Sequence, residues 1–91
     1  MSDGRHSTIS GGEYNVVEPY AYSSTVSGGS ENIVEQLAEF GTISGGFNNT
    51  VVKSTSHATI SGGSGNTAGH DYSTVSGGLN KPTGADYDHI P

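Results

Sequence analysis

The sequence predicts an all-β fold, a parallel β-solenoid (β-roll or β-helix) of about five to six coils of 15–17 residues. Three observations predict it. Gly-Gly pairs recur at Gly11-Gly12, Gly28-Gly29, Gly45-Gly46, Gly62-Gly63 and Gly77-Gly78, at steps of 17, 17, 17 and 15 residues. One branched apolar residue holds the same phase before each pair: Ile9, Val26, Ile43, Ile60 and Val75. Around it stands one repeated motif, "STISGG", "STVSGG", "GTISGG", "ATISGG" and "STVSGG". Self-similarity at a fixed period marks a repeat architecture, in which equivalent residues of successive units stack.

Each element of one coil follows from its residues. Thr-Ile-Ser alternates polar, apolar and polar, which reads as a short strand with Ile or Val inward. Thr8, Thr25, Thr42, Thr59 and Thr74 then form one outward file, with Ser10, Ser27, Ser44, Ser61 and Ser76 beside it. Gly-Gly supplies a corner that can use positive φ. Three residues after each pair comes Asn15, Asn32, Asn49 or Asn66, with Lys81 in the fifth copy. Asn closes the corner through side-chain bonds to local backbone, and stacked Asn residues can form an amide ladder. A second apolar position, Val17, Val34, Val51 or Ala68, with Thr83 last, begins another short strand. One coil thus reads as two strands and two turns.

The tail keeps the beat. "DYDHIP" (86–91) aligns with "DYSTVS" (71–76), so Ile90 joins the ladder begun by Ile9. Residues 1–6 read as a lead-in and 7–91 as a single solenoid domain. Neighbouring coils should lie about 4.8 Å apart, the spacing of paired strands.

Composition bounds the function. Only 30% of the 91 residues are hydrophobic, Trp is absent and Gly numbers 15, so the core is thin for a lone chain. Val16 and Ile33 stand next to Val17 and Val34, and adjacent strand residues point opposite ways. One member of each pair therefore faces out, where another chain is expected to meet it. Val52, Leu37, Phe40, Phe47, Tyr20 and Tyr22 also fall outside the two ladders. The net charge is −6, and Arg5, Lys53 and Lys81 are scattered, which disfavours a nucleic-acid partner. Without Cys there is neither a disulfide framework nor a Cys-based metal site. "MSDGRHSTIS" lacks the apolar segment of a signal peptide, and no apolar run reaches membrane-spanning length, so neither secretory export nor membrane insertion is expected.

The motif S-T-V-S-G-G-x-x-N-T-A-x-G resembles the head repeats of trimeric autotransporter adhesins, the YadA-head type, and similar repeats of bacteriophage tail fibres. "NTAGHDYSTVSGG" (66–78) is the closest stretch, and the resemblance extends from about Ser7 to Ile90. It implies a left-handed parallel β-roll, three chains around one axis, and a role in fibres or adhesion. The first three copies are longer than the usual head repeat, with the inserts "EPYAY" and "EQLAE". The expectation is a structural, non-enzymatic homotrimer: a phage tail-fibre or virion component, serving as rigid spacer or receptor-contacting tip. Its partners would be other fibre or virion proteins and a host cell-surface receptor. A bacterial surface adhesin head is the alternative.

Sharper motifs have plainer readings beside them. The Thr and Ser files resemble the flat arrays of insect antifreeze proteins, which makes ice binding an alternative from another class. "GGSGN" (62–66) resembles half of a calcium-binding nonapeptide, with Asn66 in place of its Asp. Asp71, Asp86 and Asp88 are weak candidates for a hard cation, more simply a solvated edge. Glu18 and Glu35 stack as like charges and are expected to be exposed. His6, Phe40, His57, Tyr72 and Tyr87 share one coil position and read as a stacked corner. No Ser lies in G-x-S-x-G, and "GSGNTA" (63–68) does not join a strand to a helix, so no catalytic residue and no cofactor is expected.

Overall fold

A computed structural model describes residues 6–83 and 89–91 as a stack of about five coils built from two parallel sheets. In chain order the strands are β1 (Thr8–Ile9), β2 (Val16–Val17), β3 (Thr25–Val26), β4 (Ile33–Val34) and β5 (Thr42–Ile43). They continue as β6 (Thr50–Val51), β7 (Thr59–Ile60), β8 (Thr67–Ala68), β9 (Thr74–Val75) and β10 (His89–Ile90). One sheet has the order β1-β3-β5-β7-β9-β10, the other β2-β4-β6-β8. Threonine stands over threonine, as in Thr25↔Thr42 and Thr42↔Thr59, and the apolar ladder is continuous through Val26↔Ile43↔Ile60. The tail alignment holds, since Ile90 pairs with Val75.

The coil is richer than two strands and two turns. The inserts form a third, irregular side that turns small residues inward: Ala21, Ala38 and Thr55 from one position, and Ser24, Ala58 and Ser73 from another. All six are buried. The anticipated ladder Val17, Val34, Val51, Ala68, Val26, Ile43, Ile60 and Val75 is fully buried, with Ile9 and Ile90 half-buried at the two ends of the stack. Ser24 bridges coils from inside: its hydroxyl donates to the Ala38 carbonyl at 2.8 Å and accepts the Gly41 N–H at 3.1 Å. This satisfies a polar group that would be costly to bury alone.

Corners are made by left-handed backbone, and mostly not at glycine. Tyr14, Tyr20, Ser23, Glu31, Leu37, Phe40, Asn48, Ser54, His57, Tyr72 and Asn80 all have φ between 54° and 66°. Each such residue costs roughly 1 kcal/mol or more. The hydrogen bonds explain the choice. Outward strand residues donate to the following coil, as Thr25 N–H does to the Gly41 carbonyl at 2.9 Å. The left-handed residues reverse the amide and donate to the preceding coil: Phe40 N–H to Tyr22 O at 2.9 Å, Ser54 N–H to Gln36 O at 3.1 Å, His57 N–H to Glu39 O at 3.0 Å. The backbone therefore stays paired around the bend. Glu18–Ala21 closes with an Ala21 N–H to Glu18 O bond of 3.2 Å, with Pro19 at the second place and positive φ at Tyr20, the signature of a type II turn.

In the glycine pairs, the second member carries the steric requirement. Gly46 has φ 92°, and a Cβ there would meet the backbone of Gly63 in the next coil. A Cβ on Gly45 would meet nothing within 4 Å.

Candidate functional site

The asparagines lie inside the coil and join one coil to the next. Asn32, Asn49 and Asn66 are fully buried. Each Oδ1 accepts the backbone N–H of the equivalent residue one coil on: Asn15 from Asn32 at 3.0 Å, Asn32 from Asn49 at 3.0 Å, Asn49 from Asn66 at 2.9 Å. Asn66 passes the pattern to Lys81, whose N–H it accepts at 2.8 Å. Each Nδ2 donates to two glycine carbonyls, its own corner and the next: Asn49 to Gly45 at 3.0 Å and to Gly63 at 3.1 Å. The amide ladder anticipated from the sequence is thus mainly side chain to backbone, and it holds the Gly-Gly corners in place.

Three outer surfaces could carry function. On the six-stranded sheet, Thr25, Thr42, Thr59 and Thr74 are half-buried in one file, with exposed Thr8 at its start. Ser10, Ser27, Ser44, Ser61 and Ser76 are exposed beside them. This face is a regular grid of hydroxyls, closed by His89 opposite Thr74.

The four-stranded sheet turns a different face outward. Val16, Ile33, Thr50 and Thr67 form its half-buried file, in register through β2, β4, β6 and β8. Tyr14, Phe47 and Leu79 stand exposed at its margin, at 76%, 48% and 67%. A shallow groove of about 400 Å³ lies between Tyr14, Glu31, Ile33 and Asn48. Val16 and Ile33 face out while Val17 and Val34 face in, as the alternation required.

The third surface is an aromatic corner. The rings of Phe40 and His57 stack at 4.7 Å and 11°, and those of His57 and Tyr72 at 4.8 Å and 5°. The ring spacing matches the strand spacing because the rings share one coil position. His6 has the same left-handed backbone as the residues of this file. Tyr87 lies outside the described residues. Tyr20 meets Tyr22 edge-on at 6.1 Å, beside exposed Leu37.

The acidic residues take a part in the coil that their stacking alone did not reveal. Glu18 and Glu35 are half-buried rather than exposed. Glu18 Oε1 accepts the Gln36 N–H at 3.1 Å, and Glu35 Oε1 accepts the Lys53 N–H at 3.1 Å. Each carboxylate thus reaches up to a turn amide of the next coil, which draws the stacked pair into the coil-to-coil bonding. Asp71 likewise accepts the Ser56 N–H at 2.9 Å, so it is a corner acceptor and more than a solvated edge. Asp86 and Asp88 lie outside the described residues. Among the described residues no three His, Cys, Asp or Glu side chains converge on a point that could hold a metal, and no helix is long and apolar enough to cross a membrane. His70 Nδ1 lies 3.2 Å from Thr83 Oγ1, which also accepts the Gly69 N–H at 3.0 Å.

No protein-family model matches the chain, and no curated protein or solved structure is significantly similar to it.

Proposed function

We propose that the chain is a structural, non-enzymatic module of a fibre or spike, working as a homotrimer that associates through the outward face of the four-stranded sheet. The observation that carries this reading is the apolar file Val16–Ile33 with Tyr14, Phe47 and Leu79 beside it. A face of that kind is suited to contact with protein, while the outward files of the six-stranded sheet are mostly Thr and Ser hydroxyls. Parallel coils in fixed register make a stiff rod, which suits a spacer or a receptor-contacting tip. The resemblance of "NTAGHDYSTVSGG" to adhesin-head and tail-fibre repeats supports the same role. A virion location, with other fibre proteins and a host receptor as partners, follows from that resemblance, and a bacterial surface adhesin head is its close variant. Ile33→Glu places a charge in the interface, so it is expected to lower the molar mass in solution while leaving the circular dichroism unchanged. An unchanged mass would overturn the interface.

One observation favours a second reading, ice binding. The Thr8–Thr25–Thr42–Thr59–Thr74 file is in register over five strands, flanked by the Ser file. Thermal hysteresis separates the two: a freezing-point gap abolished by Thr42→Tyr supports ice binding, and its absence removes it.

A further inference from the structure

We infer that the third, irregular side of the coil is the other half of the trimer contact. The outward face of the four-stranded sheet of one copy packs against the third side of the next copy, with Glu31 of the first beside Lys53 of the second. This rests on the trimer proposed above. Copies that close around a threefold axis meet heterologously: each offers one surface to the neighbour on one side and a different surface to the neighbour on the other. The sheet face is the first of these surfaces, and a second of matching chemistry is needed on the same chain.

The third side supplies it. Among the described residues, the exposed large apolar side chains fall into two groups. Tyr14, Phe47 and Leu79 border the four-stranded sheet, while Tyr20, Leu37, Phe40 and Tyr72 stand on the third side or at its edge, each about half exposed. The Thr and Ser files of the six-stranded sheet carry none of them. The shapes of the two groups match. Tyr20, Leu37, Phe40 and Tyr72 all occupy left-handed corners, and a corner is convex. The sheet face holds the shallow groove between Tyr14, Glu31, Ile33 and Asn48. Both groups run along the stack, from Tyr14 to Leu79 and from Tyr20 to Tyr72, so copies standing side by side meet along their length. Burying both groups removes the apolar surface that a single chain leaves in water.

Charge selects the fit. The chain carries a net charge of −6, so identical copies repel unless their few cations are set against acids. Glu31 is exposed in the groove. On the third side the carboxylates of Glu18, Glu35 and Asp71 are turned to the backbone amides of Gln36, Lys53 and Ser56, and Glu39 is half-buried. The Lys53 side chain is exposed there, next to Ser54, whose amide reaches the Gln36 carbonyl beside Leu37. Lys81, the other lysine, stands in the fifth coil on the sheet side. Lys53 belongs to the third coil and Glu31 to the second. In copies standing level they differ by one coil, about 4.8 Å, within the reach of a lysine side chain. The apolar stem of that lysine suits the Tyr14 and Ile33 lining of the groove, with its ammonium group at the carboxylate.

The test is the molar mass by light scattering of the full chain, with circular dichroism as the control for folding. Leu37→Glu puts a charge on the third side and is expected to lower the mass threefold, as Ile33→Glu does from the sheet face. Glu31→Lys and Lys53→Glu are each expected to lower the mass, and the two together to restore it. A folded Leu37→Glu at the mass of three chains overturns the inference, and Ile33→Glu then still tests the sheet face by itself. Single charge exchanges without effect, or a double exchange that does not restore the mass, overturn it as well. A wild-type mass other than three chains overturns the trimer itself and the inference with it. If Leu37→Glu does not fold, the exchange of Glu31 and Lys53 decides.

Discussion

Asn49 Oδ1 accepts the backbone N–H of Asn66 at 2.9 Å, joining two residues 17 apart in sequence and one coil apart in space. The same side chain donates to Gly45 and Gly63. Asn49→Ala is therefore expected to cost about 3 kcal/mol, since it orphans a buried amide and removes two donors. Asn49→Asp should be no better, because a carboxylate cannot donate to the two glycine carbonyls. Urea unfolding of both variants checks this; a loss below about 1 kcal/mol would contradict the ladder's role.

The two glycines of one pair should respond differently. Gly46→Ala meets the Gly63 backbone and is expected to cost more than about 3 kcal/mol or to prevent folding. Gly45→Ala meets open space and should cost only about 1 kcal/mol, from its φ of 154°. The difference in melting temperature between the two variants is the measurement.

At Ser54 the backbone strain outweighs what glycine would add to the freedom of the unfolded chain. Its φ is 63°, it is exposed, and its N–H donates to Gln36 O at 3.1 Å. Ser54→Gly is expected to stabilise by about 0.5 kcal/mol, the net of relieved strain and added unfolded-state freedom. Ser54→Pro, which loses both the conformation and the donor, should destabilise by about 3 kcal/mol. Thermal melts that rank the two alike would refute the left-handed corner.

Glu35 can be tested through its acceptor alone. Glu35→Ala removes the partner of the Lys53 amide and should cost up to about 1 kcal/mol. Glu35→Gln keeps an acceptor oxygen and should retain most of that stability. Faster hydrogen exchange at Lys53 in the Ala variant alone is the expected signature.

Much of the fold was legible in the sequence because stacking forces like over like. Ile9, Val26, Ile43 and the Gly-Gly pairs repeat visibly, and their period gave the strands, the register and the buried ladder. The third side was not legible, because Ala21, Ala38, Ser24 and Ser73 are small residues that look like loop. The left-handed corners were hidden for another reason. Asn48 and Asn80 tolerate positive φ, but Tyr20, Leu37 and Phe40 adopt it only because the closed coil requires it, as where the Phe40 amide must reach the coil before. The bonds of Glu18 and Glu35 were not legible, since their partners lie 18 residues away, a distance that has meaning only once the coil is closed.

The most direct test of the proposed assembly is the molar mass of the chain in solution. One chain is 9.3 kDa. The proposed trimer requires a mass of three chains. A mass of one chain or of two would contradict it.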